Sequence, residues 1–465
     1  MDDSTAHELM PRHSPIDARK ALPWIVFLVF FGVLNETVFN VSIPAIARQY
    51  ALTPSGVSWV MTTFIVFFGI GSVVYGKLSD IFSLKRLIVI GVLIYAVGSM
   101  AGFIFRAFYP LVIAARAVQG AGASAIPALI MVIVARFFPP EVRGRVFGSI
   151  TSTVAFAAGI GPVLGGFVSG TFGWTYLFLI PLVTPISIPF FVRILPEEPR
   201  REGGIDLLGA CLIALGVGAF ILFLSFTAWY CLAASLLALG LFTVRIRRSP
   251  NPFIEPSLFR NRRFRAGLFV GFIVFSSAIG IIFLIPLMLN GLRGLRIRDI
   301  GLIMFPGAIS GVVFGTVGGN LADKKGNGFV IAIGIASLVV SLLLMSFLLG
   351  FSPWLIAAAL FLTFVGFTLI QTALVNSVSQ TLDLHQTGVG MGVFNLVTFV
   401  SGAVGTALVA RVLESHWLDA RLLPLVSEDK AVAYSNLLIV FSVSIALGGF
   451  IYYRGFKYRG FKARR

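Results

Sequence analysis

Cysteine, histidine and acidic residues are all scarce in this chain, and each scarcity removes a class of function. Its 465 residues include only two cysteines, Cys211 and Cys231, and four histidines. The two cysteines fall near opposite ends of successive apolar runs, so no disulfide between them is expected. No paired-cysteine or Cys/His spacing suits a metal ion, and neither a metal nor a cofactor is expected. His7, His13, His385 and His416 lie outside the apolar runs, which excludes an intramembrane histidine relay. A nucleophile–base constellation is missing too, so the chain does not read as an enzyme. Without a G-x-x-x-x-G-K-[ST] loop, ATP is not the expected energy source. The opening MDDSTAHELMPRH is polar and lacks a cleavable signal pattern, so the first apolar run is expected to be a retained helix.

What the chain has is apolar mass. Hydrophobic residues make up 57% of it, 45 residues are Phe, and mean hydropathy is +0.96. No soluble domain needs that much apolar surface, whereas a bundle of membrane helices does. The net charge of +17 would suit nucleic acid, but the basic residues form short clusters between apolar runs. Topology anchors are distributed in that way, and nucleic acid is not an expected partner.

Apolar runs of spanning length fall at about 21–45, 56–78, 86–105, 110–135, 145–170, 174–194, 206–226, 228–246, 265–289, 299–321, 328–350, 353–375, 387–412 and 434–453. An even number of spans puts both termini on one side. The opposite side receives only Arg48, Arg106, Arg293, Arg296, Arg298, Arg411, Arg421 and Lys430, so the positive-inside rule makes both termini cytoplasmic. GKLSDIFSLKR (76–86) recurs in part as GNLADKKG (319–326), which marks an internal repeat. The expected organisation is therefore a cytoplasmic tail (1–20), a six-helix half (21–194), two inserted helices (195–246), a basic proline-punctuated connection (247–264), a second six-helix half (265–453) and a basic tail (454–465). Such repeats usually hold a substrate site at their interface near the midplane.

One acidic residue, Glu36, lies deep inside the first run. A carboxylate there costs several kcal/mol unless it is neutral or paired, which makes it a functional-site candidate. Arg116 sits inside the fourth run, and helix rise puts both residues about 10 Å below the outer surface, so a pair is geometrically reasonable. Hydrocarbon favours the neutral acid and a guanidinium favours the carboxylate, so a change in either could load or release a proton. A static helix-locking ion pair is the alternative. Asn40 shares the Glu36 helix face and Gln119 shares that of Arg116, as supports or substrate contacts. Asn35, Gln371, Asn376 and Asn395 complete the candidate cavity.

The loop residues Gly76, Leu78, Asp80, Lys85 and Arg86, with the second copy Gly319, Leu321, Ala322, Asp323, Lys324, Lys325 and Gly326, resemble a loop motif of the major facilitator superfamily. The departures are Ile81 and Ser83. Arg116, Gln119, Gly120 and Gly122 match its R-x-x-Q-G-x-G. Gly148, Gly161-Pro162 and Gly165-Gly166 match its antiporter motif, with Ala157 replacing the middle glycine. With IDLLG (205–209), the chain resembles the fourteen-helix drug/proton antiporter branch. LNETVFNVSIPAIA (34–47) and 116–137 look like the Gram-positive tetracycline/proton antiporters, although Ala158 and Gly402 stand where that group often has carboxylates. The resemblance implies an all-α transporter working as a monomer in the bacterial cytoplasmic membrane. It would export amphiphilic or cationic drugs in exchange for protons, with Glu36 and Arg116 in coupling and Asp80 as a further protonation site or charge latch. Gly76, Asp80, Lys85, Arg86, Gly161, Pro162, Asp323 and Lys324 would gate the conformational change. Alternatives are a lipid or glycolipid flippase of the same fold, and a metal–tetracycline and monovalent cation/proton exchanger. A receptor or sensor would need a soluble signalling domain that this chain does not show.

Overall fold

A computed structural model describes residues 17–79, 81–197, 206–249, 252, 254, 256–349, 352–382, 387–415, 418 and 429–456. Asp80 and the Asp323 side chain lie outside what is described. The described residues contain helices and no strand, and fourteen segments are long and apolar enough to cross a membrane. Span 1 comprises Ala18–Val38, a 3₁₀ turn Asn40–Ser42 and Ile43–Gln49. Spans 2 to 5 are Pro54–Leu78, Leu84–Ile104, the pair Tyr109–Ala123 and Ala125–Phe137, and Pro140–Thr171. Span 6 is Trp174–Ser187 with Ile188–Ile194, span 7 is Leu207–Phe226 and span 8 is Trp229–Arg248. Spans 9 to 14 are Arg262–Arg293, Ile297–Lys325, Asn327–Leu348, Pro353–Ser379, Thr387–Ser415 and Asp429–Phe456.

Local chemistry sets several of these ends. Thr53 caps span 2 by accepting from Gly56 N, and Asp206 caps span 7 by accepting from Gly209 N at 3.0 Å. Asn261 caps span 9 through Arg263 N and Phe264 N. Three spans depart from plain α-helix. The α-helix of span 1 ends at Val38 and resumes only at Ile43, with Pro44 in its first turn. Span 4 divides at Ser124. Trp174–Ser187 is wound as a 3₁₀ helix in which Pro181 and Pro185 cannot supply the amide donors that an α-helix needs.

Spans 1–6 pack among themselves, as do spans 9–14, and the groups meet along two seams, spans 2/13 and spans 5/10. On the side away from the termini the seams are tight. Ser55 donates to Glu414 across the 2/13 seam, and a Cβ on Gly301 would strike the Pro162 carbonyl across the 5/10 seam. At mid-depth Phe68 packs edge-on against Phe399 with 4.9 Å between ring centroids. Toward the terminal side, Gly76, Gly319 and Gly392 face open space. The molecule is thus closed away from its termini. Cys211 and Cys231 are both free thiols.

Two outcomes follow from these contacts. Ser55→Ala removes a hydrogen bond that only the closed side makes. It should increase maleimide labelling of a cysteine placed at Asn40, added from the side away from the termini; unchanged labelling contradicts the latch. Asp206→Ala deletes a helix cap and the partner of Arg245 and should cost about 2–4 kcal/mol in detergent unfolding, with Asp206→Asn milder because it keeps the cap while losing the ion pair.

Candidate functional site

Arg116 organises the interior of spans 1–4. It is 0% exposed, and its guanidinium carbon lies 4.3 Å from the Phe39 ring centroid and 4.2 Å from that of Phe64. Desolvated cation–π contacts are worth about 2 kcal/mol or more each. Its Nε donates to the Val60 carbonyl at 3.0 Å and Nη1 to Gln119 Oε1 at 3.0 Å. Gln119 Nε2 in turn donates to Ser99 Oγ at 2.8 Å, and Ser99 to the Tyr95 carbonyl at 2.8 Å. Only Nη2 lacks a partner.

The motif glycines make this cage possible. A Cβ on Gly120 would collide with the Phe64 carbonyl, and one on Gly122 with the Tyr95 backbone nitrogen. Because both are glycine, span 4 lies directly on the backbones of spans 2 and 3. That contact brings Phe64 under the guanidinium.

Glu36 ends up elsewhere than helix counting suggests. It is half-buried, carries no hydrogen bond among the described residues, and is not ion-paired with Arg116 within 4.0 Å. The expected close pair is therefore not formed in this conformation. The reason is span length: span 1 continues to Gln49, so Glu36 lies about 20 Å from its end by helix rise rather than about 10 Å. Phe39, one turn further out, meets the guanidinium instead. The two charges remain within electrostatic reach of each other and of buried Tyr95, whose hydroxyl donates to the Phe31 carbonyl at 3.2 Å.

Neighbouring polar groups share the same lack of partners. Asn35 is fully buried beside Tyr95 with neither amide atom in a hydrogen bond of normal geometry, and the buried Ser42, Thr62 and Thr63 hydroxyls also lack one. Asn40 is buried as expected. However, the i,i+4 rule does not place it on the Glu36 face, because the α-helix ends between them.

Span 5 connects this region to the other group of helices. A Cβ on Gly161 would overlap the Thr37 hydroxyl, and one on Gly165 the Val38 carbonyl; these are the two residues that follow Glu36. On another face, Pro162 and Gly166 meet Gly301, and Gly166 also meets Ile297 and Arg298. The motif glycines therefore seat span 5 between the Glu36 segment and span 10.

The remaining candidates are not gathered here. Gln371 and Asn395 are exposed and make no hydrogen bond among the described residues. Asn376 donates to Asn327 at 2.9 Å and accepts from Gln380, holding the terminal-side ends of spans 11 and 12. In the loop motif, Lys85 lies 3.9 Å from Glu197, while Arg86 and Lys324 are exposed. Arg136 donates to the Ser79 carbonyl at 3.0 Å, which ties spans 2 and 4 together. Phe39, Phe64, Ser99 and Arg136 are not legible in advance: among 45 Phe, no pattern marks the two that hold a guanidinium.

Residues 25–406 match the Major Facilitator Superfamily. An uncharacterised transporter of that superfamily, YcnB of Bacillus subtilis (strain 168), is 26% identical over 434 residues, covering 91% of each chain. The riboflavin transporter RibZ of Clostridioides difficile (strain 630) is 26% identical, covering 83% of this chain and 87% of its own. The multidrug resistance protein Stp of Mycobacterium tuberculosis is 25% identical, covering 86% and 76%. Among solved structures, a D-xylose-proton symporter superposes with a TM-score of 0.65 at 13% identity, covering 92% of this chain and 97% of its own. The human organic anion transporter MFSD10 gives a TM-score of 0.62 at 16% identity, covering 93% and 99%. At these identities the structures show a shared fold.

Gly165→Ala should force span 5 away from the Val38 backbone and cost about 1–3 kcal/mol in thermal unfolding. Gly319→Ala meets open space and should be neutral or slightly stabilising, by up to about 1 kcal/mol. Equal losses for the two would contradict the close approach of spans 1 and 5.

Proposed function

Because the chain belongs to the Major Facilitator Superfamily, and is therefore a multi-pass membrane transporter rather than an enzyme, we propose that it exports amphiphilic or cationic small molecules in exchange for protons. Glu36 carries this reading: among the described residues it is the only carboxylate at the middle of a span, half-buried and unpaired within electrostatic reach of the fully buried Arg116.

The coupling is a matter of local charge. With Glu36 neutral, the interior holds the single positive charge of Arg116; with Glu36 ionised, the two cancel. A cationic substrate is disfavoured by the first state and tolerated by the second, so substrate binding and protonation of Glu36 exclude each other. Arg116 is held in place by Phe39, Phe64, Val60 and Gln119, which leaves Nη2 to receive the ionised carboxylate. Asn35 and Thr62 offer further hydrogen-bond capacity to carboxylate or substrate.

With the termini cytoplasmic, the closed side is the outer face and this conformation loads substrate from within. Outer opening parts Ser55 from Glu414 and exposes Glu36 to protons. One-for-one exchange of a monovalent cation for a proton moves no net charge and draws on the pH gradient alone. For a neutral substrate, each proton returning inward also yields about 2.3 kcal/mol per 100 mV of membrane potential. Span 5, seated on Thr37 and Val38 and on Gly301, passes a shift of the Glu36 segment to the second group of helices. Asp80 would latch the cytoplasmic side in the opposite conformation. The related proteins named for multidrug resistance and for riboflavin support a planar or amphiphilic substrate, and tetracycline fits that description.

Drug-induced proton release in proteoliposomes with a pH gradient tests the proposal, using ethidium, tetracycline and riboflavin as substrates. Wild type should release protons with at least one of them, and Glu36→Gln should fold yet release none. Full release by Glu36→Gln would remove Glu36 from the coupling. No release from folded wild type in tight vesicles would favour a lipid or glycolipid substrate.

A further inference from the structure

The ring that meets the Arg116 guanidinium from span 1 is itself held from behind. Phe39 meets the Phe178 ring of span 6 edge-on, with centroids 5.0 Å apart, and both residues are fully buried. Phe178 lies in a notch of span 3: a Cβ on Gly102 would collide with its ring. The aromatic column continues outward through Trp174, 6.1 Å from Phe178, and Tyr50, 6.0 Å from Trp174. Trp174 Nε1 also donates to Gln49 Oε1 at 2.7 Å, which ties the outer end of span 1 to span 6. Aromatic pairs of this kind contribute about 0.5–1.5 kcal/mol each beyond the area they bury. A cation–π contact needs only one ring, and here that ring is clamped.

Phe39 also stands where two alternatives for the cation meet. As the residue that closes the α-helix of span 1 it keeps helical dihedrals, φ −73° and ψ −23°. It therefore lies three residues on from Glu36 and on the same face. One buried cation thus faces a carboxylate and a ring borne on adjacent turns of a single span, and in this conformation the ring meets it. Directly after Phe39 comes the turn Asn40–Ser42, which packs on spans 9 and 10, while Ile43–Gln49 packs on span 9. These contacts belong to the closed side. Behind the segment, Gly161 and Gly165 of span 5 present no side chain to Thr37 and Val38, so nothing there obstructs a shift.

We propose that Phe178 is a positioning residue of the charge site: it clamps Phe39 on the guanidinium while the outer side is closed, and so keeps Arg116 from pairing with Glu36. The Glu36 carboxylate is then left for a cationic substrate arriving from within. Opening of the outer side withdraws spans 9 and 10 from the Asn40–Ser42 turn. Phe39 gives way, and Glu36 reaches Nη2 of Arg116 once its substrate has gone. A proton from outside breaks that pair and lets the ring return. This deepens the reading of Glu36 as the coupling carboxylate and rests on it.

Two substitutions unclamp the cation while keeping an apolar side chain: Phe178→Leu removes the second ring and Phe39→Leu the first. Thermal unfolding in detergent, in mildly alkaline buffer, is measured for the parent and both variants, each with and without Glu36→Gln. In the parent, Glu36→Gln should move Tm by less than about 1 °C. In either Leu variant it should lower Tm by about 2 °C or more, because a carboxylate–guanidinium pair is then lost. Phe178→Leu should also raise the KM for ethidium-driven proton release by about fivefold or more, with kcat within about twofold of the parent. Equal effects of Glu36→Gln in the parent and in the Leu backgrounds would overturn the clamp, as would an unchanged KM. Should one Leu variant fail to fold, the other decides. A folded parent that does not respond to ethidium would instead defeat the exporter reading, and the unfolding cycle would still decide the clamp.

Discussion

The interior of this protein is built around a guanidinium that cannot leave. Arg116 lies at 0% exposure inside a span, so its charge must be met locally or the helix would not insert. Two phenylalanine rings, a backbone carbonyl and a glutamine meet most of it. Satisfying it fixes the rest: Gly120 and Gly122 are needed so that spans 2 and 3 come close enough to supply those groups. Gln119 passes the constraint to Ser99, and Ser99 to the backbone of span 3. In the proposed coupling, the one unpartnered nitrogen of this charge is what the ionised Glu36 carboxylate would meet.

A second constraint is mechanical. Helices that exchange partners during transport need close approaches that can part, and the 5/10 seam is tightest where Gly301 meets Pro162 and Gly166, while Gly69 lets span 2 approach Phe399 at the 2/13 seam. Among the described residues, the polar links that cross or flank the closed side are few. Ser55 to Glu414 spans the 2/13 seam, with Arg411 standing 4.0 Å from the same carboxylate. Hydrogen bonds between membrane helices are typically worth well under 2 kcal/mol, so such a side can open at modest cost. The hairpin of spans 7 and 8 is held differently, by the pair of half-exposed Arg245 with buried Asp206 at one end and by the stack of Phe226 on Trp59 of span 2 at the other. Fixed elements and moving elements are thus built from different interactions.

Much of the fold was legible in the sequence, because membrane spans are long, uniform and bounded by charge. The fourteen apolar runs correspond to fourteen membrane-length helical segments, and the residue motifs correspond to the family. The internal geometry of spans was less legible. Composition marks span 1 as one apolar run, yet the chain changes to a 3₁₀ turn at Asn40 and carries on to Gln49, so a depth counted along an ideal helix misplaced Glu36. Span 6 is wound as 3₁₀ for the sake of two prolines that hydropathy does not register. Glu36, Arg116 and Gln119 could be singled out because polar atoms in apolar runs are costly. Phe39 and Phe64 could not, since a ring facing a guanidinium and a ring facing lipid have the same sequence. Gln371 and Asn395 show the converse: polarity inside a run marks a residue as unusual without saying what it meets.

The central claim is that Glu36 exchanges its proton as substrate binds, and the carboxyl group itself can report on that. Infrared difference spectra of the reconstituted protein, recorded with and without ethidium, should show loss of a protonated-carboxyl C=O band on substrate addition. That band should be absent from Glu36→Gln and shifted by deuterium oxide. A substrate-bound spectrum with no change in that band, or the same change in Glu36→Gln, would contradict the account.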